Sequence, residues 1–225
     1  MTSAPEQRLK IPVEDAHVSG LLIAPDGACA CYVLAHGAGV GMAHSFMAAV
    51  AHGQAERHIA TLRYNFPYME EGRKHPDSPK RAQLAVRAAV GEAGRRLPNM
   101  PLIAGGKSYG ARMTSQAQAE APLANVRGLA FLGFPLHTPG HGSDERAGHL
   151  SSVKVPMLFL QGTRDEFAEL DYLKPLVKRL GLLATLRLFD DADHSFHVPA
   201  RSGRKDADVM RELLDTLAAW IVRVI

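Results

Sequence analysis

The sequence predicts an α/β domain built on a mostly parallel sheet with helices on both faces. Strand-like and helix-like segments alternate after two opening strands, which is the pattern of parallel strands joined by crossover helices. The run from Ala28 to Ala35 is almost wholly apolar, as a strand covered on both faces must be. Clusters of polar residues follow several of the strands, and in such sheets the functional loops lie at the carboxyl ends of the strands.

The elements follow in order. Arg8–Val13 and His17–Ala24 read as the opening strands, and Pro25-Asp26-Gly27 as the turn after them. The apolar strand 28–35 runs into His36-Gly37-Ala38-Gly39, then a helix over 45–57 and a strand over 59–65. Residues 66–77 carry Pro, Gly and mixed charges and read as a long loop. Ser78 then Pro79 is a helix start, with Ser78 as the cap. Ala82, Ala85, Val86, Ala89, Val90, Ala93 and Leu97 give that helix an apolar face. Strands are expected at 126–134, 155–161 and 183–189, with an irregular stretch at 135–150 that holds one helical turn near its end. A helix over 171–180 must place Pro175 in its first turn. The last helix, 205–224, repeats apolar residues at Val209, Met210, Leu213, Leu214, Leu217, Trp220 and Ile221.

A chain of 225 residues suits one domain spanning 1–225. A net charge of +3 without a long basic run gives no support to nucleic-acid binding. The first ten residues lack a basic-then-apolar leader pattern, and no apolar run approaches the length of a membrane span. Cys29 and Cys31 are the only cysteines; two apart in a strand, they share a face and are poorly placed to pair. Two buried free thiols suit the reducing cytoplasm.

The chemistry centres on residues 101–112. A short apolar strand leads into Gly106-Lys107-Ser108-Tyr109-Gly110, which fits G-x-S-x-G, and a helix follows. This is the nucleophile elbow: the serine stands out of a sharp turn, and the positions two before and two after it have no room for a Cβ. The helix points its first N–H groups at the place where negative charge develops. Gly106-Lys107-Ser108 also ends like a phosphate-binding P-loop, but that motif needs Gly at 101, which is Pro101, and a loop where Leu102-Ile103-Ala104 reads as strand.

A serine nucleophile needs a base, and the base an orienting acid. After such an elbow they follow in the order acid, then histidine. Asp165 lies just past the strand ending at Gln161, and His194 just past the next. Glu166 is the rival for the acid and His197 for the base; position favours Asp165 and His194. The cluster Asp190, Asp191, Asp193 is not a calcium loop of the EF-hand type, since Ser195 and Arg201 stand where that loop needs Gly and Glu. Backbone donors for an oxyanion are expected at Tyr109, the residue after the nucleophile, and at Ala38 in the Gly-rich loop.

Together, His-Gly-Ala-Gly at 36–39, Gly-Gly-Lys-Ser-Tyr-Gly-Ala-Arg at 105–112, Gln-Gly-Thr-Arg-Asp at 161–165 and Ala-Asp-His-Ser-Phe at 192–196 resemble an α/β-hydrolase. More narrowly, the stretch from Arg63 to Lys74 resembles the compact, capless family related to dienelactone hydrolases, which includes animal testis-expressed proteins and a histone-acetyltransferase-complex subunit. The resemblance spans roughly residues 30–200. It implies Ser108 as nucleophile, Asp165 as acid, His194 as base, and an open site without a lid. True dienelactone hydrolases use a cysteine where this chain has Ser108, which disfavours that particular reaction. The expectation is a serine hydrolase acting on a small soluble ester or thioester, with no cofactor or metal and with acetyl and butyryl groups preferred over palmitoyl. A non-catalytic scaffold and an acyltransferase using the same three residues are the alternatives.

Overall fold

The computed structural model describes residues 4–225. Eight strands form one sheet: β1 (Glu6–Val13), β2 (Ala16–Ile23), β3 (Ala30–Ala35), β4 (Ile59–Tyr64), β5 (Leu102–Lys107), β6 (Val126–Leu132), β7 (Met157–Gly162) and β8 (Ala184–Phe189). Their order across the sheet is β1-β2-β4-β3-β5-β6-β7-β8. The first two strands form a hairpin that joins β4 antiparallel, and every pairing from β4 to β8 is parallel.

Helices cover both faces. On one side lie α1 (Ser45–Ala55) and the last helix, α6 (Asp206–Val224). They close a core cluster that includes Tyr32, Leu34, Val50, Ile103, Leu213 and Trp220. On the other side α3 (Pro79–Arg96), α4 (Tyr109–Glu120) and α5 (Leu170–Leu180) bury a second cluster, centred on Phe131, Phe134 and Phe159. Strands β3, β5 and β7, apolar but for Lys107 and Gln161 near the ends of the last two, are buried along nearly their whole length because both faces are covered.

The chain steps outward from β3 to β4, then crosses back to β5 on the other side of β3. Between β3 and β5 the strand order therefore reverses, and the two loops leaving their carboxyl ends diverge to opposite faces. That opening is where open α/β sheets bind ligands. No large cap domain covers it.

Several local expectations need correction. Residues 66–77 are not a plain loop: α2 (Pro67–Glu70) forms within them, with Pro67 at its first position. The buried carboxylate of Asp77 ties the segment down, accepting from the Tyr68 N–H at 2.9 Å and from the guanidinium groups of Arg73 and Arg81. Ser78 precedes α3 but makes no side-chain cap. Pro175 sits six residues into α5, because that helix begins at Leu170; its disruption is tolerated while Leu173 and Leu176 bury the apolar face. The irregular stretch ends in a 3₁₀ helix over Glu145–Ser152, longer than one turn. Strand β3 begins at Ala30, so Cys29 lies outside it and is exposed while Cys31 is buried. Turn geometry takes up residue 28, whose N–H bonds the Pro25 carbonyl.

Candidate active site

Ser108 lies between β5 and α4 with φ 51° and ψ −113°. A non-glycine residue adopts this left-handed backbone only at a cost of order 1–3 kcal/mol. The surroundings impose it. A Cβ on Gly106 would stand 2.3 Å from the Ala35 carbonyl oxygen, and one on Gly110 would stand 2.6 Å from the carbonyl oxygens of both Ala35 and His36. The two motif glycines are therefore required by the end of the neighbouring strand β3, which passes directly under the turn. The Ser108 N–H donates to the Leu132 carbonyl at the end of β6, fixing the turn from the other side.

Three of the expected residues meet here. The His194 imidazole Nε2 lies 2.9 Å from Ser108 Oγ, and its Nδ1 lies 2.7 Å from Asp165 Oδ2. A carboxylate can only accept, so Nδ1 carries the proton and Nε2 presents its lone pair to the serine. Asp165 is fully buried as a side chain, whereas the imidazole is partly exposed. Loops after β5, β7 and β8 deliver the three groups.

The rivals are placed elsewhere. Glu166 is exposed. His197 pairs with Asp206 at 2.6 Å and does not contact Ser108. Asp193 shapes the loop that carries His194: its Oδ1 accepts from the N–H groups of Ser195 and His197, at 2.8 and 3.0 Å.

Residues that sequence reading passed over hold this arrangement in place. Gln161, buried at the end of β7, donates from Nε2 to Asp165 Oδ2 and accepts the Phe134 N–H at 2.9 Å. The Phe167 N–H donates to Asp165 Oδ1 at 2.8 Å, and the Phe167 ring lies 4.4 Å from the imidazole centroid. Lys107 donates from Nζ to the His194 carbonyl oxygen at 2.7 Å. In the sequence Gln161 stands out as an amide closing an otherwise apolar strand and as the first residue of the Gln-Gly-Thr-Arg-Asp block, with no role attached.

The loop after β3 is braced by His36. The ring is fully buried; Nδ1 lies 2.8 Å from the Gly37 carbonyl oxygen, and Nε2 accepts from the Phe66 N–H at 3.0 Å. Nδ1 is thus the protonated nitrogen, and burial holds the pKa down to about 4. The brace leaves Ala38 exposed beside Ser108. Tyr109 opens α4, so its N–H is among those a helix leaves without an internal partner.

A cavity of about 680 Å³ opens beside Ser108 and His194. Its other walls are mainly apolar, from Val40, Phe46, Met47, Phe167, Phe196 and Met210. Among the described residues no group of three His, Cys, Asp or Glu side chains could hold a metal ion, and no helix is long and apolar enough to cross a membrane.

A strained serine on a strand-to-helix turn at the switch point of this sheet is the architecture of a hydrolase. The chain belongs to the alpha/beta hydrolase domain family, whose model matches residues 28–222. It is similar in fold to a dienelactone hydrolase from Anabaena variabilis, with a TM-score of 0.81 at 19% identity over 100% of both chains. A lidless a/b serine hydrolase from Xanthomonas campestris matches with a TM-score of 0.73 at 20% identity, covering 98% of each chain. An esterase from Pyrococcus furiosus matches with a TM-score of 0.75 at 16% identity, covering 98% of this chain and 93% of that one.

Proposed function

We propose that the protein is a serine hydrolase that cleaves a small carboxylic ester or thioester through Ser108, His194 and Asp165. The observation that carries this reading is the imidazole bridging Ser108 Oγ and Asp165 Oδ2 at 2.9 and 2.7 Å. Nε2 takes the Ser108 hydroxyl proton as Oγ bonds to the substrate carbonyl carbon. Asp165 fixes the tautomer of the neutral imidazole and stabilises the imidazolium that forms. The N–H groups of Ala38 and Tyr109 receive the oxyanion. On collapse the imidazolium returns the proton to the leaving oxygen or sulfur, giving an acyl-enzyme. Water, deprotonated by the same imidazole, then releases the acid and restores Ser108.

Within the family, the stretch 63–74 favours the compact dienelactone-hydrolase-related group with its animal testis-expressed and histone-acetyltransferase-subunit members. The unpaired thiols of Cys29 and Cys31 favour a reducing compartment, the cytoplasm. The test is covalent: a fluorophosphonate should label Ser108, located by peptide mass spectrometry, and Ser108→Ala should lose both labelling and p-nitrophenyl acetate turnover. Retained turnover in that variant would refute the assignment.

A further inference from the structure

Lys107 occupies a variable position of the elbow motif, yet its side chain is half-buried and its ammonium is turned to the loop that carries His194. Nζ donates to the His194 carbonyl oxygen at 2.7 Å and lies 5.8 Å from the centre of the Phe196 ring. Asp165 and Asp193 act on it through space, and it contacts neither carboxylate. The space it fills is created by Gly133, at φ 69° just past β6: a Cβ there would stand 2.9 Å from Lys107 Nζ and 3.3 Å from the imidazole. Holding a half-buried ammonium against a main-chain carbonyl carries a cost, since desolvation disfavours the charged form. Burial here lowers the amine pKa to about 8, which still leaves it mostly charged at neutral pH.

The carbonyl it grips belongs to the residue whose ring must reach Ser108. That ring sits on a loop shaped from within by Asp193 and tied, ahead of His194, to the loop after β7 by the Arg164 N–H on the Ala192 carbonyl oxygen and the Asp191 N–H on Thr163 Oγ1. Lys107 precedes Ser108 directly, so one dipeptide holds both the nucleophile and the backbone of its partner. We propose that Lys107 is a positioning residue, which locks the His194 main chain so that the imidazole lies over Ser108. The proposal rests on the serine-hydrolase reading.

Removing the ammonium removes its hydrogen bond to the His194 carbonyl oxygen and so loosens the backbone that carries the ring.

The experiment compares Lys107→Met, Lys107→Arg and Ser108→Ala on p-nitrophenyl butyrate across pH 5–9. In Lys107→Met, kcat should fall about 10- to 100-fold with KM within about threefold, because the defect is in geometry at the reacting atoms. Lys107→Arg, which keeps a charged donor for the His194 carbonyl oxygen, should restore kcat to within about threefold of the parent. If Lys107→Met does not fold, Lys107→Leu takes its place with the same expectation. A normal kcat in the apolar variant, or a Lys107→Arg enzyme as impaired as Lys107→Met, overturns the proposal while leaving the serine-hydrolase reading intact. Turnover that survives Ser108→Ala sinks that reading instead.

Discussion

Gln161 and His194 share one oxygen of Asp165: the amide Nε2 and the imidazole Nδ1 both reach Oδ2. The amide's own oxygen is occupied by the Phe134 N–H, so it cannot turn over without losing two bonds. The carboxylate is thus oriented by a group that is itself locked.

Gln161→Leu should leave the carboxylate short of a donor and the Phe134 N–H without its acceptor. We expect kcat to fall about tenfold with little change in KM, and stability to fall by about 1–3 kcal/mol. Urea titration and steady-state kinetics measure the two effects. A variant that loses stability and keeps full turnover would show that Gln161 supports the loop alone.

Asp165→Asn keeps the shape and removes the charge, and the imidazole then favours the wrong tautomer. By analogy with other triads, kcat should drop by on the order of 10³–10⁴. Glu166 is exposed, so Glu166→Gln should change kcat by less than about tenfold, its charge acting only through a screened field. A crippled Glu166→Gln beside a near-normal Asp165→Asn would reassign the acid.

The cavity wall is mainly apolar, but no cap domain closes it. Within it, each methylene of the substrate should add about 0.8 kcal/mol, roughly fourfold in kcat/KM. Acetyl and butyryl p-nitrophenyl esters should exceed the palmitoyl ester, because no cap domain encloses the far end of so long a chain. A continued rise beyond about eight carbons would require an enclosed tunnel along the chain.

His36 sets an acid limit on the fold. Its folded pKa, about 4, lies below the ordinary imidazole value of 6.5. The unfolded chain therefore binds the proton first, and stability is lost as pH falls from about 6.5 towards 4. A shift of this size corresponds to on the order of 3 kcal/mol. His149, lowered to about 4 by burial and by Arg112, adds in the same direction. Unfolding free energies measured from pH 7 to 4 should show this slope, and His36→Asn should flatten it while lowering stability at pH 7. An equally steep slope in the variant would locate the acid sensitivity elsewhere.

What was legible in the sequence follows from what is local. The elbow could be read because its glycines answer to a turn, and Asp165 and His194 because each stands just past an apolar strand. The supporting groups could not. Gln161 matters through Phe134, 27 positions away, and Lys107 through His194, 87 positions away. No periodicity records such pairs. The short α2 escaped notice because the carboxylate holding it, Asp77, reads in sequence as one more charge in a polar loop. Pro175 was misplaced by a rule of local propensity that tertiary packing overrode.

The separation between Ser108 and His194 is 86 residues. During synthesis at about 5–20 residues per second, the strained turn would leave the ribosome roughly 4–17 s before the imidazole that serves it. Through that interval the serine is an ordinary alcohol, unable to capture an acyl group. Catalytic competence would arrive late, only when β8 docks at the far edge of the sheet and carries the last partner into reach.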